Sequence, residues 1–399
     1  MAVDSAVAEE QQQIIRSSLR AMLQKYEPRR AELREMVDKQ GIFPEELWQD
    51  YAKVGLMGCL VPEEYGGNNA GLLALTYGFE EIVSQGFFPG LLLVTSMDAA
   101  CLVKNASEEI KREFLPKICD GSRKLCFALT EPNAGTNTFR IQTVARRHGD
   151  VYRISGQKVF ITGVDVADYM LLVARTTTVE ELKEQGKPKV HGLSLFLVDT
   201  KSKGIEKTRI PVPLNEGLRQ FQLFLDEVEV PAANLIGKED DGAMTMFNSL
   251  NPERILTGAI CAGMADAALR KAVAYAKERV VFGDKPIGAY QSIAHPLAEV
   301  RIMLEAVRLM TYKAAAAYDD GLPPAEVGSM ANMAKFLGAD LAIKAADVAI
   351  EVHGGNGFSE EFGLIQLWNG ARLLKTAPVS REMILNFVAE QNLGLPRSY

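Results

Sequence analysis

The sequence predicts an α+β chain of more than one domain, helical at both ends and β in the middle. Three observations predict it. Apolar residues repeat at helical spacing up to about residue 120. Short runs rich in β-branched and aromatic residues, divided by turn residues, then run from about Lys124 to Pro231. Beyond about residue 238, apolar stripes return on segments long enough for helices of roughly 20 residues. The expected domains are 1–122 (α-helical), 123–236 (β) and 237–399 (a helical bundle). A chain of 399 residues with 47% hydrophobic content can bury a core in each.

In the first segment Ile15, Leu19, Met22 and Leu23 share a helical face. Leu47, Tyr51 and Val54 repeat the spacing behind Pro44, which suits a helix start. Val61-Pro-Glu-Glu-Tyr-Gly-Gly67 reads as a loop, before helices near 71–84 and 106–118. In the second segment strands are predicted in LCFALTE, TFRIQTVARR, VYRISG, KVFITG, YMLLVART, LSLFLVD and RQFQLFLDEVEV. The charged stretch Val179–Val190 (VEELKEQGKPKV) is expected to be a solvated loop. In the third, Val300, Met303, Leu304, Val307 and Met310 form one stripe. Met333, Leu337, Leu341, Ala345, Val348 and Val352 form another, which stops at Gly354-Gly355. Stripes of this length pack as an antiparallel bundle.

Composition excludes several functions. A net charge of −7 without a basic cluster gives no footprint for nucleic acid or an anionic membrane. No apolar run reaches the roughly 18–20 residues of a membrane helix, and the acidic start MAVDSAVAEEQQQ is unlike a secretory or transit signal. The expected location is soluble and intracellular, cytoplasmic in a bacterium. Five cysteines without paired short spacing argue for thiols rather than disulfides or a zinc site. Four scattered histidines form no HxxxH or HExxH pattern, so no catalytic metal is expected. No GxGxxG follows a strand, which disfavours a Rossmann dinucleotide site.

Three stretches carry a family likeness: Ala128-Leu-Thr-Glu-Pro-Asn-Ala-Gly135, Arg279-Val-Val-Phe-Gly283 with Gln291 downstream, and Glu351-Val-His-Gly-Gly-Asn-Gly357. In order and spacing, over nearly the whole chain, they resemble the acyl-CoA dehydrogenase family. The resemblance implies a middle β-barrel or sandwich and a C-terminal antiparallel four-helix bundle. It also implies a homotetramer, bound FAD, an acyl-CoA substrate, and electrons delivered to an electron-transferring flavoprotein. By the same resemblance Thr130 and the Leu129 backbone hydrogen-bond the flavin pyrimidine edge, while Phe160 and Thr162 lie against the ring near N5. An aromatic face and a hydroxyl there suit a cofactor that carries the reaction itself. Arg279, Phe282 and Gln291 match the partners of the FAD pyrophosphate and adenosine, where a guanidinium grips phosphate oxygens. Gly354 and Gly355 are implied to meet a neighbouring subunit's FAD, and Phe127, Glu351 and Ser380 complete the implied cofactor contacts. Thr136 keeps a hydroxyl for the CoA portion where the family has Ser. Taken alone, FALT and VFIT are also plain alternating strands, and the Gly pair is a common helix end.

Forming a double bond between Cα and Cβ requires a base for the α-proton. Many family members place that carboxylate in a Tyr-Glu-Gly-Thr motif, and the matching position here is Pro378. A second family location, used by isovaleryl- and long-chain-type members, lies on the first long helix of the bundle. This sequence reads Leu250-Asn-Pro-Glu-Arg254 there, so the resemblance implies Glu253 as base, with Asn251 and Arg254 holding the thioester. Burial would raise the Glu253 pKa toward neutral. Pro378 also lacks the N–H that the family aims at the thioester carbonyl, a donor worth about 2.7–4 kcal/mol. A water, a shifted amide or another side chain is expected to replace it. Asp98 reads first as a helix-capping or solvated carboxylate, with the acyl cavity as the alternative. Two other functions share these residues: an enoyl-CoA reductase or acyl-CoA oxidase of the same fold, and a non-catalytic FAD- and acyl-CoA-binding protein.

Overall fold

A computed structural model describes residues 5–212 and 219–397; residues 1–4 of the acidic start lie outside it. Six helices come first: α1 (Ser5–Gln24), α2 (Arg30–Arg34), α3 (Glu45–Lys53), α4 (Gly71–Ser84), α5 (Gly90–Asn105) and α6 (Glu108–Cys119). Then follow β1 (Leu125–Ala128), β2 (Val144–His148), β3 (Val151–Thr162), β4 (Tyr169–Arg175), α7 (Val179–Glu184), β5 (Leu193–Asp199), β6 (Ile205–Ile210), β7 (Gln220–Pro231) and β8 (Leu235–Ile236). The last five helices are α8 (Gly242–Glu278), α9 (Gln291–Asp319), α10 (Pro324–His353), α11 (Leu364–Leu374) and α12 (Arg381–Phe387). These elements form two compact units. One takes Ala31–Ala70 and Gly90–Leu250; the other takes the chain up to Arg30, Gly71–Pro89 and Asn251 onward.

The first unit is built on a mixed sheet in the order β6-β7-β3-β2-β4-β5-β8, with β1 added in parallel to β4. Strand alternation sends β4 and β5 side chains to two cores. Leu171, Val173, Leu195 and Leu197 pack with Leu102, Phe114, Leu115 and Ile118 of α5 and α6. Met170, Leu172, Phe196 and Val198 pack with Tyr152, Ile154, Leu223 and Val228. Both strands are covered on two faces, which is why they read as unbroken apolar runs.

Three expectations for this unit are corrected, and one strand is added. Val179–Val190 is not all loop: Val179–Glu184 is helical, closed by a capping box in which Thr178 and Glu181 satisfy each other's backbone, and Leu182 is buried. VYRISG and KVFITG are one strand, β3, with register shifts at Ile154/Gly156 and Lys158/Ile161. TFRIQTVARR is a strand only from Val144; Thr138–Arg140 is a 3-10 turn. β6, a polar edge strand with alternating exposure, lacks the apolar signal and went unforeseen.

In the second unit α9 and α10, joined by residues 320–323, run antiparallel and pack with α8 through Ala265, Ala272, Val300, Leu304, Val307, Leu341 and Ala345. The α10 stripe is corrected at Leu337, which is 38% exposed; Leu341, Ala345 and Val352 of the stripe are buried, and Ala331, Ala334, Gly338, Ala342 and Ala349 share the buried face. The reason is close approach. A Cβ on Gly338 would lie 3.0 Å from the Cys261 Cβ and 3.4 Å from the Gly258 Cα, so small residues, not large ones, face α8. Two fully buried carboxylates fasten α1 and α9 to α4: Glu80 pairs with Arg16 (3.0 Å) and Arg308 (2.8 Å), and Glu81 with Arg20 (2.6 Å). Removing one partner from such a network leaves a buried charge uncompensated and costs about 3–5 kcal/mol.

No helix among the described residues is long and apolar enough to cross a membrane. Among the same residues no cluster of three His, Cys, Asp or Glu side chains could hold a metal ion. The cysteines are unpaired with one another; four are buried and Cys119 is half-buried.

Candidate functional site

The implied site residues fall in two groups, one on each unit. In the sheet unit, β1 ends at Ala128 and the chain turns through Leu129, Thr130 and Glu131 against β3. Thr130 accepts from the Val159 N–H at 2.9 Å, and the Leu129 carbonyl accepts from the Lys158 ammonium at 3.1 Å. The two sequence motifs are therefore bonded side by side, 27 or more residues apart in the chain. Phe160 sits in the bulge at Lys158/Ile161 with φ +56°, a left-handed conformation that bulky residues rarely adopt. The bulge turns its ring outward, and it is 58% exposed, unlike its strand neighbours Lys158 and Ile161. Bulges commonly re-aim a side chain next to a functional site. Thr162 exchanges hydrogen bonds with the Gln220 amide at 3.0–3.1 Å. Phe127 is half-buried on β1 against the first core, and Thr136 is exposed in the following turn.

Beneath this surface lies a pair that sequence reading passed over. Lys158 is fully buried and its ammonium lies 2.9 Å from Glu131 Oε1. Glu131 also accepts from the Gln142 N–H (2.7 Å) and the Thr143 N–H (3.0 Å). Burial alone would raise the carboxyl, but Lys158 and these donors hold it below the ordinary range. Burial pushes the lysine down to about 8, so both groups are ionised at neutral pH. The available signal was a lysine at an inward strand position.

In the helical unit Glu253 lies on α8, one residue after Pro252. Glu253 is half-buried. Burial raises its carboxyl to about 7, against the opposing pull of Arg254 and Lys335. The Glu253 carbonyl accepts from Thr257 Oγ1 at 2.7 Å. Arg254 is half-buried beside it. Asn251 is buried and its amide donates to the Pro324 carbonyl at 3.1 Å, which joins α8 to the start of α10. Pro378 lies in the segment after α11, and Lys335 of α10 holds that segment: its ammonium donates to Val379 O at 2.6 Å and approaches Lys375 O at 3.4 Å. Lys335 was also missed in the sequence, although it is the one cation in the largely apolar run NMAKFLGADLAI and is 1% exposed.

Arg279 and Phe282 are exposed on a loop after α8 that folds back on itself. Arg279 O accepts from the Ile287 N–H (2.7 Å), and Phe282 O from the Tyr290 hydroxyl (3.0 Å). Gln291 opens α9 and is exposed. Glu351 is exposed on the last turn of α10, and Gly354 ends that helix with φ +56°. A Cβ on Gly354 or Gly355 would meet nothing within 4 Å in this chain, so no neighbour in the fold itself demands a glycine at 355. His353 stacks on Tyr275, which accepts from the Asn356 amide and so ties down the Gly turn. Ser380 caps α12 by accepting from the Met383 N–H at 3.3 Å. Asp98 is corrected: it is neither a cap nor solvated, but lies mid-helix in α5 with no exposed surface.

The chain matches the acyl-CoA dehydrogenase N-terminal domain over residues 9–122, the middle domain over 126–228 and the C-terminal domain over 240–393. It is 44% identical over 355 residues to acyl-CoA dehydrogenase FadE12 of Mycobacterium tuberculosis, covering 89% of each chain. Among solved structures, it is similar to butyryl-CoA dehydrogenase of Megasphaera elsdenii (28% identity, TM-score 0.86, 96% of this chain and 98% of that one). It is equally similar to a chain in the structure of the electron transferring flavoprotein of Acidaminococcus fermentans (28% identity, TM-score 0.87, with the same coverage).

Proposed function

The chain belongs to the acyl-CoA dehydrogenase family, and we infer from that membership that it removes hydrogen from Cα and Cβ of an acyl-CoA thioester, giving the 2-enoyl-CoA. The observation that carries the residue-level reading is Glu253: a half-buried carboxyl on α8 whose pKa is raised to about 7, in a chain whose alternative base position holds Pro378. Glu253 takes the α-proton onto its carboxylate, and a base with a pKa near the working pH does this most efficiently. Arg254 and Lys335 favour its charged form and so keep a useful fraction ready. Asn251 fixes α8 against α10, which keeps Glu253 on a rigid support.

The surface around Thr130 fits an isoalloxazine ring: an outward-turned Phe160, a Thr162 hydroxyl, and polar backbone at Leu129 and Thr130. FAD, when bound, supplies the hydride acceptor. Arg279 supplies charge-assisted donors for its pyrophosphate, with Phe282 and Gln291 beside the adenosine. Glu351, Gly354 and Gly355 serve the FAD of a second subunit, a role supported by the glycine at 355 having no cause within the chain. Assembly as a homotetramer is supported by Ile302 and Leu309, two turns apart on α9 and 71% and 72% exposed. Electrons pass to an electron-transferring flavoprotein. Thr136 meets the CoA portion, and Ser380 acts by capping the helix that follows Pro378.

The experiment is anaerobic mixing of the purified flavoprotein with a panel of saturated acyl-CoAs while flavin absorbance is followed. Bleaching by at least one thioester, with enoyl-CoA as product, is expected. A protein that binds FAD but is reduced by none of them would overturn the reading.

A further inference from the structure

Leu129–Thr130 and Phe160–Thr162 belong to segments with no covalent reason to keep a fixed distance, and one buried ion pair joins them. Lys158 precedes Phe160 by two residues on β3, and Glu131 follows Thr130 directly. A trans peptide points its C=O and N–H to opposite sides. With the Leu129 carbonyl turned to the Lys158 ammonium, the Thr130 N–H is turned away from it. The Thr130 carbonyl is likewise taken by Val159. Both carbonyls of the turn are thus drawn toward β3, which fixes the orientation of the peptide between them. Glu131 in turn holds Gln142 and Thr143 at the start of β2, so the turn is anchored from behind as well.

We propose that Lys158 is a positioning residue for the flavin, acting with Glu131 as a buried brace that holds the Thr130 turn and the Phe160 bulge in one fixed seat and balances the charge behind it. The proposal rests on the FAD reading above. It goes beyond that reading because neither residue is exposed enough to touch the cofactor. A pair kept only for core stability would be replaceable by apolar residues of similar volume at little cost to the seat. A brace would not.

The test uses Lys158→Met and Glu131→Gln, with Lys158→Met/Glu131→Leu as the variant that removes both charges together. FAD affinity, flavin midpoint potential, and apoprotein melting with circular dichroism are measured for each. Every variant is expected to bind FAD at least tenfold more weakly than the parent. The potential is expected to move in opposite directions in the single variants. Lys158→Met leaves an unmatched anion behind the flavin and lowers the potential; Glu131→Gln leaves the cation and raises it. The double variant is expected to recover melting temperature relative to Lys158→Met without recovering FAD affinity. Parental affinity and potential in a folded variant would overturn the proposal, and so would failure of all three to fold, since the pair would then serve folding at large. If the parent itself binds no FAD, the reading of the previous section fails instead.

Discussion

The Lys335 ammonium lies 2.6 Å from the carbonyl of Val379, the residue that follows Pro378. The segment that carries Pro378 is therefore held by a cation on α10. That same cation is one of two that favour the anion of Glu253 on α8. One buried lysine thus connects the Pro378 segment to the carboxyl of Glu253.

Glu253→Gln keeps the size of the side chain and removes the base. FAD binding should be unchanged, and the rate of flavin bleaching by acyl-CoA should fall by about 10²–10⁴-fold, the usual range for a positioned acid or base. Anaerobic rapid mixing measures this directly. A variant within threefold of the parent would remove Glu253 from the role.

The pH dependence follows from the raised pKa. Glu253 must be ionised to accept a proton, so the bleaching rate of the parent should climb with a midpoint near the value of about 7 for the free protein. Stability runs the other way. A carboxyl whose folded pKa lies above its unfolded value of 4.5 contributes stability that is complete below 4.5 and lost as pH rises through about 7. Each tenfold change in proton affinity is worth about 1.4 kcal/mol, so the loss is limited to about 3 kcal/mol. Melting curves of the parent and Glu253→Gln should therefore diverge between about pH 4.5 and 7, with the Gln variant the more stable above that range. Parallel curves would mean that the carboxyl is not buried in solution.

How much of this was legible in the sequence depended on distance along the chain. The strands YMLLVART and LSLFLVD were readable because burial on both faces leaves an unbroken apolar run. The expectation for Glu253 rested on four consecutive residues, NPER, and on a resemblance rather than on spacing. Lys158 and Glu131 each look like an ordinary polar residue in a strand; only the fold brings them to 2.9 Å. The α10 face was misjudged for a related reason. Periodicity favours Leu337 over Gly338, yet the closeness of α8, invisible in the sequence, makes the glycine the contact. The Phe160 conformation is similar: nothing in VFIT signals a positive φ, which arises from a register shift against β7.

Arg279 is exposed on a loop that is itself pinned, so replacing it should leave the fold intact. Arg279→Ala should weaken FAD binding by roughly 10- to 100-fold, the size of a lost charge-assisted hydrogen-bond pair. Arg279→Lys should recover only part of that, because an ammonium cannot reproduce the planar fork. Titration of apoprotein with FAD reads both. Equal affinity of all three proteins would exclude Arg279 from the pyrophosphate.

Lys335→Met preserves the apolar stem and removes the charge. Two effects are expected, and they are separable. The carbonyls of Val379 and Lys375 lose their donor, so the segment after α11 loosens and melting temperature falls. Independently, Glu253 loses one of the two cations that favour its anion, so the midpoint of flavin bleaching against pH should rise by roughly half a unit or more. Arg254, Cys261 and Asp340 are the other groups around Lys335; Arg254 is kept, so part of the stabilisation of Glu253 remains. Lys335→Arg tests the distinction, because it restores a cation without the compact ammonium that fits between the two carbonyls. It should return the pH midpoint toward the parent while leaving part of the melting defect. If Lys335→Met melts lower but keeps the parental midpoint, the lysine only fastens the segment and has no hold on the proton affinity of Glu253.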